Sequence, residues 1–254
     1  MTLTESLISG IVQGLTEFLP VSSSGHLVLL HRFFGLSEPM MFFDVCLHAG
    51  TLAAVLFYFR KDLLGIVTRR DYRTIALLGA GTVPVVAAGL LFEDRIEALF
   101  ASPGIVSMML YGTAFLLLAG EYLYKRVRRM NGLTAVSALG VGAAQAMALV
   151  PGISRSGATI SAGLAFGLER DEAFSFSFLL SVPAVSAALV YKLLKAGTAA
   201  ADPSVGLNYA AGAFTAFVVG MASLAVLRRV VASGKLYIFA VYCILAGTVG
   251  ILYL

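Results

Sequence analysis

The sequence predicts an all-α polytopic membrane protein, with six transmembrane helices plus two re-entrant helical hairpins in an inverted-topology repeat. Three observations carry this. Hydrophobic residues make up 59% of the 254 residues and charged residues only 13%, about half the share of a soluble domain, and the mean hydropathy is +0.91. Six apolar runs, at 41–59, 74–92, 104–123, 173–194, 207–227 and 236–254, match the roughly 20 residues that a bilayer core demands of a helix. Two further stretches, 4–34 and 133–168, are apolar at both ends and broken in the middle by Pro20-Val21-Ser22-Ser23-Ser24-Gly25 and Pro151-Gly152-Ile153-Ser154-Arg155-Ser156-Gly157.

Each break reads as the tip of a hairpin, because lipid cannot satisfy irregular backbone; such backbone survives at depth only when buried in protein or lining a wet cavity. Loop charge sets the sides. Arg60, Lys61, Arg69, Arg70 and Arg73 follow the first span, whereas Glu93, Asp94 and Glu97 oppose Arg95 in the next loop, which makes the first loop cytoplasmic. Lys125, Arg126, Arg128 and Arg129 follow the third span and Arg228, Arg229 and Lys235 precede the sixth, on the same side. The first hairpin then enters from the outer face and the second from the cytoplasm, with their tips meeting inside the membrane.

The whole chain, 1–254, reads as one membrane domain with repeats of about 1–127 and 128–254. Gln13 to Gly25 echoes Gln145 to Gly157, and at nearly the same offset Phe43 matches Phe176 and Tyr58 matches Tyr191. Broken helices at a repeat interface place a site there. The start lacks a basic n-region, so the N-terminus is expected to be mature structure. Cys46 and Cys243 lie in apolar runs as packing residues. A net charge of +4 sits in short clusters between spans, which is the positive-inside signature rather than a nucleic-acid footprint.

Both breaks offer backbone N–H groups near a helix start, with hydroxyls at Ser22, Ser23, Ser24, Ser154, Ser156 and Thr159, and this is how a phosphate is cradled. Small residues there also permit tight helix packing. Arg155 decides between the two, since a charge at membrane depth is costly and marks function, and its fork suits diphosphate oxygens; a purely structural pairing with Glu17 is the alternative. Gln13 and Glu17 project from one helix face and together form a thin oxygen set for Mg²⁺ or Ca²⁺, completed by substrate oxygens and water. His26 follows the first loop and is placed to share a cavity with Ser23 and Glu17, as attacking group or as proton carrier. His31 reads as interfacial, His48 as either a partner of the site or a packing residue, and Gln145 as helix packing. Glu169, Arg170, Asp171 and Glu172 read as a solvated turn and helix start.

Through QGLTEFLPVSSSGHL at 13–27 and PGISRSGATIS at 151–161, the chain resembles the bacitracin-resistance type of undecaprenyl-diphosphate phosphatase over essentially its whole length. The resemblance implies catalytic roles for Glu17, Ser23, His26 and Arg155, phosphate contacts from Ser22, Ser24, Gly25, Ser154, Ser156 and Thr159, and a divalent metal at Gln13 and Glu17. The family motif admits Glu or Gln at the position of Gln13, and the amide here weakens the claim that two carboxylates share the metal. It also implies a polyprenyl diphosphate lipid substrate, membrane lipids as neighbours, a homodimer, a bacterial plasma membrane location, and an active site facing outward. The rival reading is a carrier that flips the lipid monophosphate through the same site. Whether Ser23, His26 or water attacks phosphorus stays open at this level.

Overall fold

The computed structural model describes residues 1–35, 41–100, 102–130, 132–196 and 203–253, and every regular element among them is an α-helix. In chain order these are α1 (Leu3–Thr16), α2 (Ser23–Phe33), α3 (Met41–Tyr58), α4 (Arg60–Thr68), α5 (Tyr72–Leu91), α6 (Glu93–Phe100), α7 (Pro103–Tyr124), α8 (Ala135–Met147), α9 (Arg155–Ala165), α10 (Arg170–Ala196), α11 (Pro203–Ala232) and α12 (Tyr237–Tyr253).

Four helices, α5, α7, α10 and α11, are long and apolar enough to cross a membrane. Helix α3 passes the same test together with α4, across a 65° bend. Helix α12 is apolar but only 17 residues long, and residue 254 of the expected sixth span lies outside the described residues. The basic and acidic loops of the sequence reading are partly helical, as α4 and α6. Such short helices tolerate charge because their polar faces stay exposed, and Glu93 and Asp94 in the first turn of α6 oppose its N-terminal dipole.

The two broken stretches begin alike. Thr2 and Glu5 form a capping box at the start of α1, and Thr134 and Ser137 form one at the start of α8. Each first arm then crosses to the other half of the chain: α1 packs along α11, and α8 along α5. Glycine makes both crossings possible. A methyl group at Gly10 would strike the Gly212 carbonyl, and one at Gly142 the Gly81 carbonyl, so the backbones approach as only small residues allow.

The second hairpin leaves where it enters, because the Met130 N–H donates to the Gly167 carbonyl at 2.9 Å. Its mouth lies at the start of α10. The first hairpin opens elsewhere: Asn208 donates to the Met1 carbonyl at 3.1 Å, Met1 and Tyr209 pack against the cluster of Leu27, Phe43 and Leu47, and Lys192, near the end of α10, lies within electrostatic reach of Asp44. The mouths therefore sit towards opposite ends of one 27-residue helix, which is about 40 Å long at 1.5 Å per residue. Each end of α10 carries its own ion pairs. Arg228 binds Asp171 at the start of α10, while Lys195 binds Glu93 and Glu97 at its end.

One charged residue corrects the sequence reading. The helix start expected at Arg170 is present, since α10 begins there, but the side chain is not solvated: its guanidinium grips Glu121 of α7 in a two-pronged pair at 2.8 and 2.7 Å and donates to the Val231 carbonyl at 3.1 Å. The Glu121 partner lies one turn before the end of a span, invisible to a reading of local charge. Breaking such a partly buried pair from one side strands the other charge, whereas removing both costs little. Accordingly Glu121→Leu should lower detergent-phase stability by about 3 kcal/mol, and Glu121→Leu with Arg170→Met should recover most of it in a thermal-unfolding double-mutant cycle.

Candidate active site

Helix α1 stops at Thr16 because Pro20, lacking an N–H, cannot extend its ladder. The chain turns through Glu17 to Val21, and Ser22 restarts it. The Ser22 hydroxyl accepts the Gly25 N–H at 3.5 Å and touches the Ser24 hydroxyl at 3.3 Å. The second break repeats this: the Ser154 hydroxyl accepts the Gly157 N–H at 3.2 Å and touches the Ser156 hydroxyl at 3.2 Å. The two halves thus build one cradle twice, each at a helix N-terminus whose free N–H groups suit an anion.

Backbone strain marks the first cradle. Ser22 sits at φ +69°, a left-handed conformation that costs a residue with a Cβ on the order of 1–2 kcal/mol. Its carbonyl, turned by that geometry, lies 2.7 Å from His26 Nδ1 and accepts the His26 backbone N–H at 3.3 Å. In the second cradle Gly152 takes the left-handed position, at φ +96°. Thr113 of α7 holds this loop from both sides, donating to the Gly152 carbonyl at 2.8 Å and accepting the Ser154 N–H at 2.9 Å.

The tips meet on one carboxylate. Arg155 occupies the place in the second cradle that Ser23 occupies in the first, and both reach Glu17: Arg155 Nη2 donates to Oε1 at 2.7 Å, and Ser23 Oγ donates to Oε2 at 2.6 Å. Gln13 Nε2 lies 3.1 Å from the same Oε2 and 3.0 Å from His48 Nδ1. The core below locks these groups in position. Phe18, beside Glu17, packs edge-on to Phe178, and Arg155 lies over the Phe178 ring at 5.9 Å. Glu17 and Arg155 open into one recess with Thr51 and Ser181; Ser181 lies close to the middle of α10, so the recess is at membrane depth. Arg155 Nη1 is buried with no hydrogen-bond partner among the described residues, a free donor beside that recess.

Glu17, Ser23 and Arg155 are therefore in direct contact. His26, three residues after Ser23, bonds elsewhere: its Nε2 lies 2.7 Å from the Tyr242 hydroxyl of α12 and the two rings are stacked. Ser22, Ser24, Gly25, Ser154 and Ser156 line the two cradles. Thr159 lies one turn inside α9, fully buried, with its hydroxyl engaged by the Arg155 carbonyl and the Ser177 hydroxyl. His48, left open between two roles, belongs to the site, 3.6 Å from Glu17 Oε2. Gln145 is buried. His31 approaches Asp44 at 3.8 Å near the mouth of the first hairpin. Sequence reasoning missed Thr113 and Tyr242, since nothing in the local pattern of α7 or α12 distinguishes them from other polar residues of a span.

A divalent cation finds a partial donor set here. Glu17 is the nearest carboxylate, the Gln13 amide is beside it, and Gln13 Oε1 is buried with no partner among the described residues. No cluster of three His, Cys, Asp or Glu side chains able to hold a metal occurs among the described residues, so the protein set fits only a cation that brings oxygens of its own.

The family model described as bacitracin resistance protein BacA matches residues 6–249. A protein of Syntrophotalea carbinolica named undecaprenyl-diphosphatase is 45% identical, with 97% of each chain covered. Proteins of the same name from Desulfosudis oleivorans and Desulfatibacillum aliphaticivorans are 43% and 41% identical, covering 96% of this chain and 96% and 95% of their own.

Thr113→Val keeps the volume but deletes both bonds to the second cradle, leaving the Ser154 N–H and the Gly152 carbonyl unpaired. Loss of a buried hydrogen bond costs about 1–3 kcal/mol, so backbone amides across 148–158 should exchange with deuterium about tenfold faster in the variant, read by mass spectrometry.

Proposed function

This chain belongs to the bacitracin resistance protein BacA family, and on that premise we propose that it hydrolyses the terminal phosphate of undecaprenyl diphosphate through a phosphoserine at Ser23. The contact that carries the reading is Ser23 Oγ donating to Glu17 Oε2 at 2.6 Å while Arg155 holds Oε1 at 2.7 Å. A hydroxyl bonded to a carboxylate that is itself fixed in place is the arrangement of an activated nucleophile.

In the first step Ser23 Oγ attacks the terminal phosphorus, its proton passes to Glu17 Oε2, and the bond to the bridging oxygen breaks, releasing undecaprenyl phosphate. Arg155, with Nη1 unpartnered, and the N–H groups of the two cradles neutralise the transferring phosphoryl oxygens, which is the larger share of catalysis in phosphoryl transfer. In the second step water attacks the phosphoserine and gives its proton to His26 Nε2, while Ser23 Oγ leaves with the proton held by Glu17. His26 suits a base rather than an acid: a proton on Nδ1 is committed to the Ser22 carbonyl, which leaves Nε2 with a lone pair. Its engagement by Tyr242 argues against direct attack by the imidazole. Mg²⁺ or Ca²⁺ belongs to the same proposal, held by Glu17 and Gln13 with diphosphate oxygens, where it would supply further charge neutralisation.

The lipid carries its diphosphate sideways from the membrane. Exposed apolar side chains such as Leu90, Leu91, Phe115, Leu245 and Leu252 have membrane lipids as neighbours. A bacterial plasma membrane location, a cradle reached from the outer side and a homodimer complete the reading. Loop charge supports the orientation, since the loops after the first and third spans and before the sixth are basic, whereas the loop that holds Glu93, Asp94 and Glu97 is acidic. The shared name of the relatives favours hydrolysis over lipid carriage.

Ser23→Ala should cut kcat by about 10³-fold or more, and Glu17→Gln by about 10²- to 10⁴-fold. Rapid acid quench of the protein with labelled polyprenyl diphosphate should leave label on Ser23. Label on His26, or full turnover by Ser23→Ala, would remove the assignment.

A further inference from the structure

We infer that Tyr242, on the last helix, is a positioning residue for the reaction, holding the His26 imidazole in the orientation and tautomer that the hydrolytic step needs. The inference rests on the reading of His26 as the base for water. Its structural ground is independent of that reading.

Two contacts fix the ring of His26 at both nitrogens. Nδ1 lies 2.7 Å from the Ser22 carbonyl, an oxygen that only accepts, so Nδ1 carries the hydrogen. In the neutral ring Nε2 then has a lone pair, and the Tyr242 hydroxyl, 2.7 Å away, donates to it. The rings stack with centroids 5.7 Å apart and planes within 15°, which removes the remaining freedom about the side-chain torsion. A histidine bonded on one nitrogen alone still tilts and swaps partners; bonded on both and stacked, it is preorganised.

The neighbouring residue anchors the same helix to the same loop. Cys243 Sγ donates to the Pro20 carbonyl at 3.6 Å, so α12 meets the first cradle at consecutive positions. Tyr242 is not locked in the core, remaining 44% exposed, so its hydroxyl can yield its place when a water molecule comes to be deprotonated. In the resting site it stands where that water will hydrogen-bond. Tyr242 comes from the second half of the chain and His26 from the first, so the arrangement exists only in the assembled fold.

The test uses the intact protein in detergent. Tyr242→Phe keeps the stacking ring and deletes only the hydroxyl. Its kcat on a polyprenyl diphosphate should fall about tenfold, the worth of one hydrogen bond, with KM within about twofold, since the residue does not touch the substrate phosphate. Diethyl pyrocarbonate, which acylates an imidazole nitrogen bearing a free lone pair, should modify His26 several-fold faster in the variant, mapped by mass spectrometry against His31 and His48 as internal references. A kcat within twofold of the parent, or unchanged acylation at His26, overturns the inference. His26→Ala is run alongside. Full turnover there removes His26 as the base, and with it the catalytic purpose of Tyr242, while the acylation rates still report whether the contact exists.

Discussion

A single ion pair at membrane depth organises this protein. Arg155 and Glu17 approach to 2.7 Å from hairpins that belong to different halves of the chain and open at different ends of α10. Neither charge is tolerable there alone, since an isolated charge in hydrocarbon is costly and in structures is found paired or facing a cavity. The pair therefore makes the two insertions conditional on each other. It need not add much stability, because desolvation consumes most of the Coulombic gain. What it contributes is register: the residues that accompany Arg155 and Glu17 are brought together to within hydrogen-bonding distance.

Symmetric scaffolding carries asymmetric chemistry. Thr2 and Thr134, Ser22 and Ser154, and Gly25 and Gly157 perform the same capping tasks in the two halves. The side chains at the tips differ. Where the first cradle has Ser23 and His26, the second has Arg155 and Ala158, and where the first arm has Glu17, the second has Leu149. The two similar helix N-termini meet at Glu17, and the residues that differ put a hydroxyl and an imidazole in one cradle and a guanidinium in the other. A phosphoryl group needs both, neutralisation around its oxygens and a nucleophile in line.

Much of this was legible in the chain because membrane burial imposes strict rules on sequence. Uninterrupted apolar length marks a span, and a Pro-Ser-Gly interruption has to be housed by protein. The arginine in the second interruption needs a partner, and Glu17 is the one the structure supplies. Boundaries were less legible. Helix α4 after the 65° bend and the short α6 lie where charge density suggested loops, since a surface helix needs only local hydrogen bonds and a polar face. At Arg170 the helix start is legible and the ion pair is not. Its surroundings in sequence are polar, but its partner Glu121 arrives from another helix.

Membrane class, two broken hairpins and the residue types at their tips are readable in the chain alone, because each follows from the local cost of exposing backbone or charge to lipid. Which donor meets which acceptor emerges from the folded chain: Ser23 rather than His26 lies on Glu17, His48 joins through Gln13, Thr113 braces the second cradle, and Tyr242 faces His26. Those pairings span up to 216 positions, and contact at such separation depends on how helices cross, which is set by summed packing along their full lengths and leaves no local mark at the residues that end up touching.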